Sequence, residues 1–200
     1  NQDKWNETNA IEWTFTAGSH HHIWDKEREY EYVSFDDYEI WMSLKTMKGI
    51  VKKSGVEVAQ DEKQAYLDKA YSYWINDSFW LNPVAKFYDE GVTRSLVKYE
   101  SDTTLLVSYT QGGETPGDSY LWLVDENYQP KAWKLWVSIV PIKGIEFSWG
   151  NWEKMDSGVS ISTEHKSTFF NINLTGVKAV KNVKDLFGNQ DPFAELELKK

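Results

Sequence analysis

Apolar and polar residues alternate along most of the chain. Ile11, Trp13 and Phe15 are separated by Glu12 and Thr14, and the same period returns in His20, His22 and Trp24, in Tyr30 and Tyr32, and in Tyr38, Ile40, Met42 and Leu44. Successive side chains of a strand point to opposite faces, so a period of two marks a strand with one covered face. Met47 to Lys53 and Gly55 to Val58 predict a hairpin that turns at Lys53-Ser54-Gly55. The breaks between runs are short, which predicts an antiparallel meander.

The period changes at Asp61. Leu67, Ala70, Tyr71, Trp74 and Ile75 recur at helical spacing, acidic residues open the stretch, and Pro83 disfavours continuation past Asn82. The spacing predicts a helix over Asp61 to Ile75 lying across a sheet. Asn76, Asp77 and Ser78 favour turns, so the segment from Ile75 to Pro83 is expected to be irregular and the helix to act as a lid that can open.

Strands resume with Val92, Arg94 and Leu96, then Leu105, Val107 and Tyr109. Gln111 to Asp118 and Asp125 to Pro130 are loops by composition. Between them Tyr120, Trp122 and Val124 oppose Leu121 and Leu123, an all-apolar strand that suggests a covered, central place in its sheet. Further runs are Trp133 to Ile139, Ile145-Phe147-Trp149, Val159-Ile161-Thr163 and Phe170-Ile172-Leu174, with a helical turn expected at Val183 to Phe187 before Gly188. With no internal repeat or linker, residues 1–200 are read as one domain. The fold class is mainly β with some helix (α+β): a curved antiparallel sheet or incomplete β-barrel under a helical lid, enclosing either packed side chains or a cavity.

Charge narrows the partners. Twenty-two Lys and Arg face 31 Asp and Glu, a net charge of −9, with no basic stripe of the kind that replaces counterions on phosphate, so no nucleic-acid partner is expected. No apolar run reaches membrane-spanning length. There is no cysteine, hence no disulfide and no thiolate metal site. The chain opens at Asn1 and is read as processed or trimmed for expression, so a secretory signal would lie upstream of it.

Aromatic residues make up 16% of the chain, with 11 Trp. Core and cross-strand packing accounts for most of them, but eleven Trp are more than an ordinary core of this size requires, so a cavity or groove lined with rings stays open beside it. The expected lining residues are Trp74, Phe79, Trp80, Trp122, Trp133, Phe147 and Trp149, and the expected ligand is an apolar small molecule or lipid acyl chain. The alternative is a carbohydrate-binding or surface-recognition module, if the rings instead face outward.

Candidate chemistry is sparse. His20 and His22 share a strand face at a feasible spacing for two imidazole ligands, and His165 is the candidate third. Polar residues on a strand face are the commoner reading of such a triplet, so neither a metal nor any other cofactor is assigned. The carboxylates of Asp36-Asp37, Asp125-Glu126, Glu27 and Glu29 read as a solvated acidic surface. There is no G-x-S-x-G, G-x-G-x-x-G, H-E-x-x-H or phosphate-cradling loop, so no catalytic residue is assigned and the protein is read as a binding protein, not an enzyme. Arg94 shares parity with Val92 and Leu96 and is expected either in a strand-end salt bridge or as a polar latch inside the cavity.

Several stretches carry a family resemblance: Trp5-Asn6-Glu7-Thr8, Ile11 to Phe15, His22 to Lys26, Trp80-Leu81-Asn82-Pro83, Thr115 to Trp122, and Trp149-Gly150-Asn151-Trp152. Together they resemble uncharacterised exported bacterial proteins of the LolA-like, lipoprotein-carrier group. The resemblance implies an incomplete antiparallel barrel with a helical lid over an apolar cavity. It also implies a place in the cell envelope, periplasmic or lipid-anchored, with a lipoprotein or other envelope partner. No functional residue is carried over from it.

Overall fold

The alternating N-terminal runs become a meander of six strands: β1 (Ala10–Phe15), β2 (His20–Asp25), β3 (Tyr30–Phe35), β4 (Tyr38–Ser43), β5 (Lys48–Lys53) and the short β6 (Val56–Glu57). A computed structural model describes residues 1–111 and 116–199. The expected hairpin is present: Ser54 and Gly55 both take positive φ, as a two-residue turn between twisted strands requires. A short helix, α1 (Gln2–Asn6), precedes the meander, and the long helix α2 (Gln60–Phe79) and a 3-10 turn (Pro83–Lys86) follow it.

A second meander comprises β7 (Val92–Tyr99), β8 (Asp102–Tyr109), β9 (Ser119–Val124), β10 (Pro130–Trp136) and β11 (Ile145–Ser148). The chain then returns to the first sheet through β12 (Gly150–Lys154), β13 (Ser160–Lys166) and β14 (Asn171–Val180), and ends in the short helices α3 (Lys184–Phe187) and α4 (Ala194–Leu198). Strand β14 pairs with β1, giving a nine-stranded sheet of order β12-β13-β14-β1-β2-β3-β4-β5-β6 beside a five-stranded one of order β11-β10-β9-β8-β7. All pairings are antiparallel.

The fold is therefore mainly β, with two antiparallel sheets that do not close into a barrel. One face of the nine-stranded sheet is covered twice. Over β13, β14 and β1, side chains such as Ile161, Leu174 and Trp13 form a single core with Trp122, Trp133 and Phe147 of the five-stranded sheet. Over β3, β4 and β5, Val33, Ile40, Met42 and Val51 pack under Leu67 and Ala70 of α2. On the opposite face the C-terminal Phe193 and Leu196 cover Ile23, Tyr30 and Ile50.

Three expectations need correction. The run Ile145-Phe147-Trp149 is not one strand: β11 ends at Ser148 and β12 starts at Gly150, so buried Trp149 marks the crossing between sheets. The run from Trp133 stops at Trp136 and Ile139 is exposed, because Val137 and Val140 close a turn before Pro141. Helix α2 does not end near Ile75 but continues through Asn76, Asp77 and Ser78 to Phe79. Tertiary hydrogen bonds to Asp77 outweigh the weak turn preference of those residues. Strand β9 is central in its sheet as expected, and the expected helical turn before Gly188 forms as α3. The expected loop from Gln111 to Asp118 falls partly outside the described residues, at Gly112 to Thr115.

Candidate functional site

Helix α2 crosses the nine-stranded sheet and delivers Asp77, from its last turn, onto β2 and β3. Strand alternation turns His20 and His22 to the same inner face, and Glu31 of β3 joins them there. The four side chains are buried. Asp77 Oδ2 is 2.7 Å from His20 Nδ1 and 2.9 Å from His22 Nε2, while His22 Nδ1 is 2.7 Å from Glu31 Oε1. The other Asp77 oxygen accepts from Asn76 Nδ2.

Rings fix the two imidazoles. Trp13, the direct cross-strand neighbour of His22, stacks on it at 4.5 Å, and Tyr73 of α2 stacks on His20 at 3.7 Å. Phe15 and Phe35 complete the wall around His20. The cluster thus lies where the core under the second sheet meets the core under α2.

Its electrostatics follow from burial and pairing. Burial alone would discharge His22, but hydrogen bonds to Asp77 and Glu31 outweigh it and hold the imidazole above its ordinary pKa. Burial pushes Glu31 up to about 7, with His22 pulling the other way. Asp77 is raised by burial and lowered by both histidines, and the histidines win. Glu31 Oε2 is buried without a hydrogen-bond partner among the described residues. One nitrogen from each histidine and one Asp77 oxygen lie within 4.8 Å of one another, an arrangement able to hold a cation.

The ring residues expected to line a cavity divide into two groups. Trp80, Trp122, Trp133, Phe147 and Trp149 are buried and packed together: Trp133 lies 4.9 Å from Trp80, 5.1 Å from Trp122 and 4.9 Å from Trp149, and Phe147 lies 5.2 Å from Trp80. Phe79 is half-buried and stacks on Trp133 at 5.7 Å. Trp74 is also half-buried and packs against the same core, edge-on to Trp24 at 5.3 Å. Of the eleven tryptophans, Trp136 alone is exposed.

His165 does not join His20 and His22. It sits on β13 with Nδ1 3.1 Å from the Ser148 carbonyl and its ring 4.4 Å from Trp149. Arg94 is exposed rather than buried, because β7 is the outer strand of its sheet. Its guanidinium lies over the Tyr88 ring and donates to the Phe87 carbonyl.

Sequence reasoning missed Asp77 and Glu31 as partners of the histidines. The available signal was parity: Glu31 alternates with Val33 and Phe35, a carboxylate on an otherwise apolar face.

No family model and no curated protein matches the chain. Among solved structures, the chain is similar to a DUF1329 family protein from Desulfovibrio piger at 13% identity and a TM-score of 0.48, over 100% of this chain and 95% of that one. It is a distant structural neighbour.

Proposed function

We propose that the protein is a non-catalytic binder that holds an apolar molecule, such as a lipid acyl chain, against the inner face of the five-stranded sheet. The carrying observation is a cross-strand row of directly opposed apolar residues, Leu96, Leu105, Trp122, Trp133 and Phe147. It runs from 77% exposed Leu96, through half-buried Leu105, to Trp122, Trp133 and Phe147, which are at most 3% exposed. Strands sit about 4.8 Å apart, so the uncovered end offers a strip about two strands wide. Covering it with an acyl chain would contribute roughly 0.8 kcal/mol per buried methylene. Arg94, two residues from Leu96 on the same face, has no carboxylate partner among the described residues and supplies a cation for a polar end group. That the tryptophans turn inward favours this reading over stacking on sugars. The envelope location implied by the sequence resemblance is part of the proposal, and fractionation of the source cells tests it.

The experiment is titration with a fluorescent polyene fatty acid, read by energy transfer from tryptophan. Saturable transfer is expected, weakened at least tenfold by the paired change Leu96→Glu and Leu105→Glu. No transfer, or transfer unchanged in the double variant, would remove the proposal.

A further inference from the structure

The geometry points to a second, separate site: a divalent transition-metal centre ligated by His20 Nδ1, His22 Nε2 and Asp77 Oδ2, with Glu31 orienting His22 from behind. It does not depend on the apolar strip.

The donor set is two neutral imidazole nitrogens and one carboxylate oxygen, which suits zinc, iron(II) and their neighbours better than calcium or magnesium. The two spacings to Asp77 Oδ2 are compatible, and all three ligand atoms lie within 4.8 Å of one another. Metal–ligand bonds of about 2.0–2.1 Å place neighbouring ligand atoms roughly 2.9 Å apart in octahedral and about 3.4 Å apart in tetrahedral geometry. The observed contacts to Asp77 Oδ2 are 2.7 and 2.9 Å.

The surroundings make the case stronger than the three ligands alone. A histidine that binds metal through one ring nitrogen commonly hands its other N–H to a carboxylate, which fixes the tautomer and raises basicity. His22 has this arrangement, with Glu31 Oε1 at 2.7 Å from Nδ1. Both histidines are held against rotation by stacked rings, Trp13 on His22 and Tyr73 on His20. Glu31 Oε2 is buried and has no hydrogen-bond partner among the described residues. A dication cancels both carboxylates while leaving both imidazoles neutral. Asp77 arrives from α2 and the other three from the sheet, so the ion would also tie the helix to the sheet.

The test uses the whole chain freed of metal by chelation, titrated with Zn2+ by calorimetry and with Co2+ by visible absorption. One equivalent is expected to bind, with a ligand-field spectrum of nitrogen and oxygen ligation. Zinc should shift the 15N resonances of His20 Nδ1 and His22 Nε2 and leave those of His21, which faces the other way beside Glu12 and Thr14. His20→Gln should abolish stoichiometric binding, and Glu31→Gln should weaken it 10- to 100-fold. His21→Ala should bind as the parent does. The wild-type resonance shifts keep the test valid if a variant misfolds. Absence of one-to-one binding, or zinc shifts that spare His20 and His22, would overturn the assignment.

Discussion

Asp77 Oδ2 lies 2.9 Å from His22 Nε2 and joins the last turn of α2 to β2 across 55 residues of chain. The same oxygen also meets His20, so one atom holds two strand residues and the end of a helix. Removing one partner from a buried charged pair costs about 3–5 kcal/mol, because the other is left uncompensated. Asp77→Ala in metal-free protein is therefore expected to lower the urea-unfolding free energy by about that amount. Asp77→Asn, which keeps the volume and one acceptor, should cost less. A loss below about 1 kcal/mol for the alanine variant would mean that water replaces the carboxylate and that the contact is not structural.

The sequence made the strands legible because alternation is a local property, and the inner-face parity of Trp13, His22 and Val33 is visible without any tertiary information. The partition into two sheets was not legible. It depends on Trp149, a residue with strand-like neighbours on both sides at which the chain changes sheets. The site was half legible: His20 and His22 stood out, but Asp77 sat among turn-forming residues. Its helical state is decided by partners 55 and 57 positions away. Arg94 misled in the opposite sense, since parity reports the face of a strand and not whether that part of the face is covered.

His165 makes acid sensitivity predictable. Burial lowers its pKa to about 4, against the ordinary 6.5, with the Ser148 and Ser162 carbonyls opposing. A base with a depressed folded pKa contributes fully above its unfolded value. Below pH 6.5 the unfolded chain takes up a proton that the fold refuses, and stability falls until about pH 4. At about 1.4 kcal/mol per unit, the loss reaches roughly 3 kcal/mol. His165→Asn retains a donor for Ser148 and removes the titration. The stability difference between parent and variant should therefore shrink by about 3 kcal/mol from pH 7 to pH 4, as read by urea unfolding. A difference independent of pH would show that His165 titrates normally.

Arg28 fastens the C-terminal segment to the sheet. Its Nε donates to buried Asp25 at 2.8 Å, and its two terminal nitrogens donate to both oxygens of Asp191 at 2.7 and 2.9 Å. The Asp191 bond and the Asp25 bond hold the guanidinium above its usual pKa, and Arg28 holds Asp191 below the usual carboxylate range. Arg28→Ala breaks the part-buried bond to Asp25 Oδ2, worth about 1.5–3 kcal/mol, and the exposed bonds to Asp191, worth about 1 kcal/mol or less, while Asp25 Oδ1 keeps the backbone N–H of residue 28. The segment carrying Phe193 and Leu196 should then release from Tyr30 and Ile50. Limited proteolysis should cut after residue 182 in the variant and not in the parent. Arg28→Lys, which lacks the planar fork, should be cut at an intermediate rate.

Helix α2 is a thin cover. Of its 20 residues only Leu67, Ala70 and Asp77 are buried, and much of its remaining contact is by tyrosines such as Tyr66, whose hydroxyl pairs with that of Tyr38 at 2.7 Å. Strand β9, by contrast, has neighbours on both sides and buries Leu121 and Trp122. Local opening follows buried apolar contact, so the amides of residues 65–79 should exchange hydrogen faster than those of residues 121–124. The approach of helix to sheet is set at Gly49, where a Cβ would stand 2.1 Å from the Trp41 carbonyl oxygen and 2.9 Å from Leu67 Cδ2. Gly49→Ala must push Leu67 away or displace β5, an overpacking worth about 1–3 kcal/mol. Exchange in β5 and α2 should rise in this variant while β9 keeps its protection. Equal protection of α2 and β9 in the parent, or a rise spread evenly over both sheets in Gly49→Ala, would show that the helix opens only with global unfolding and serves as a fixed part of the scaffold.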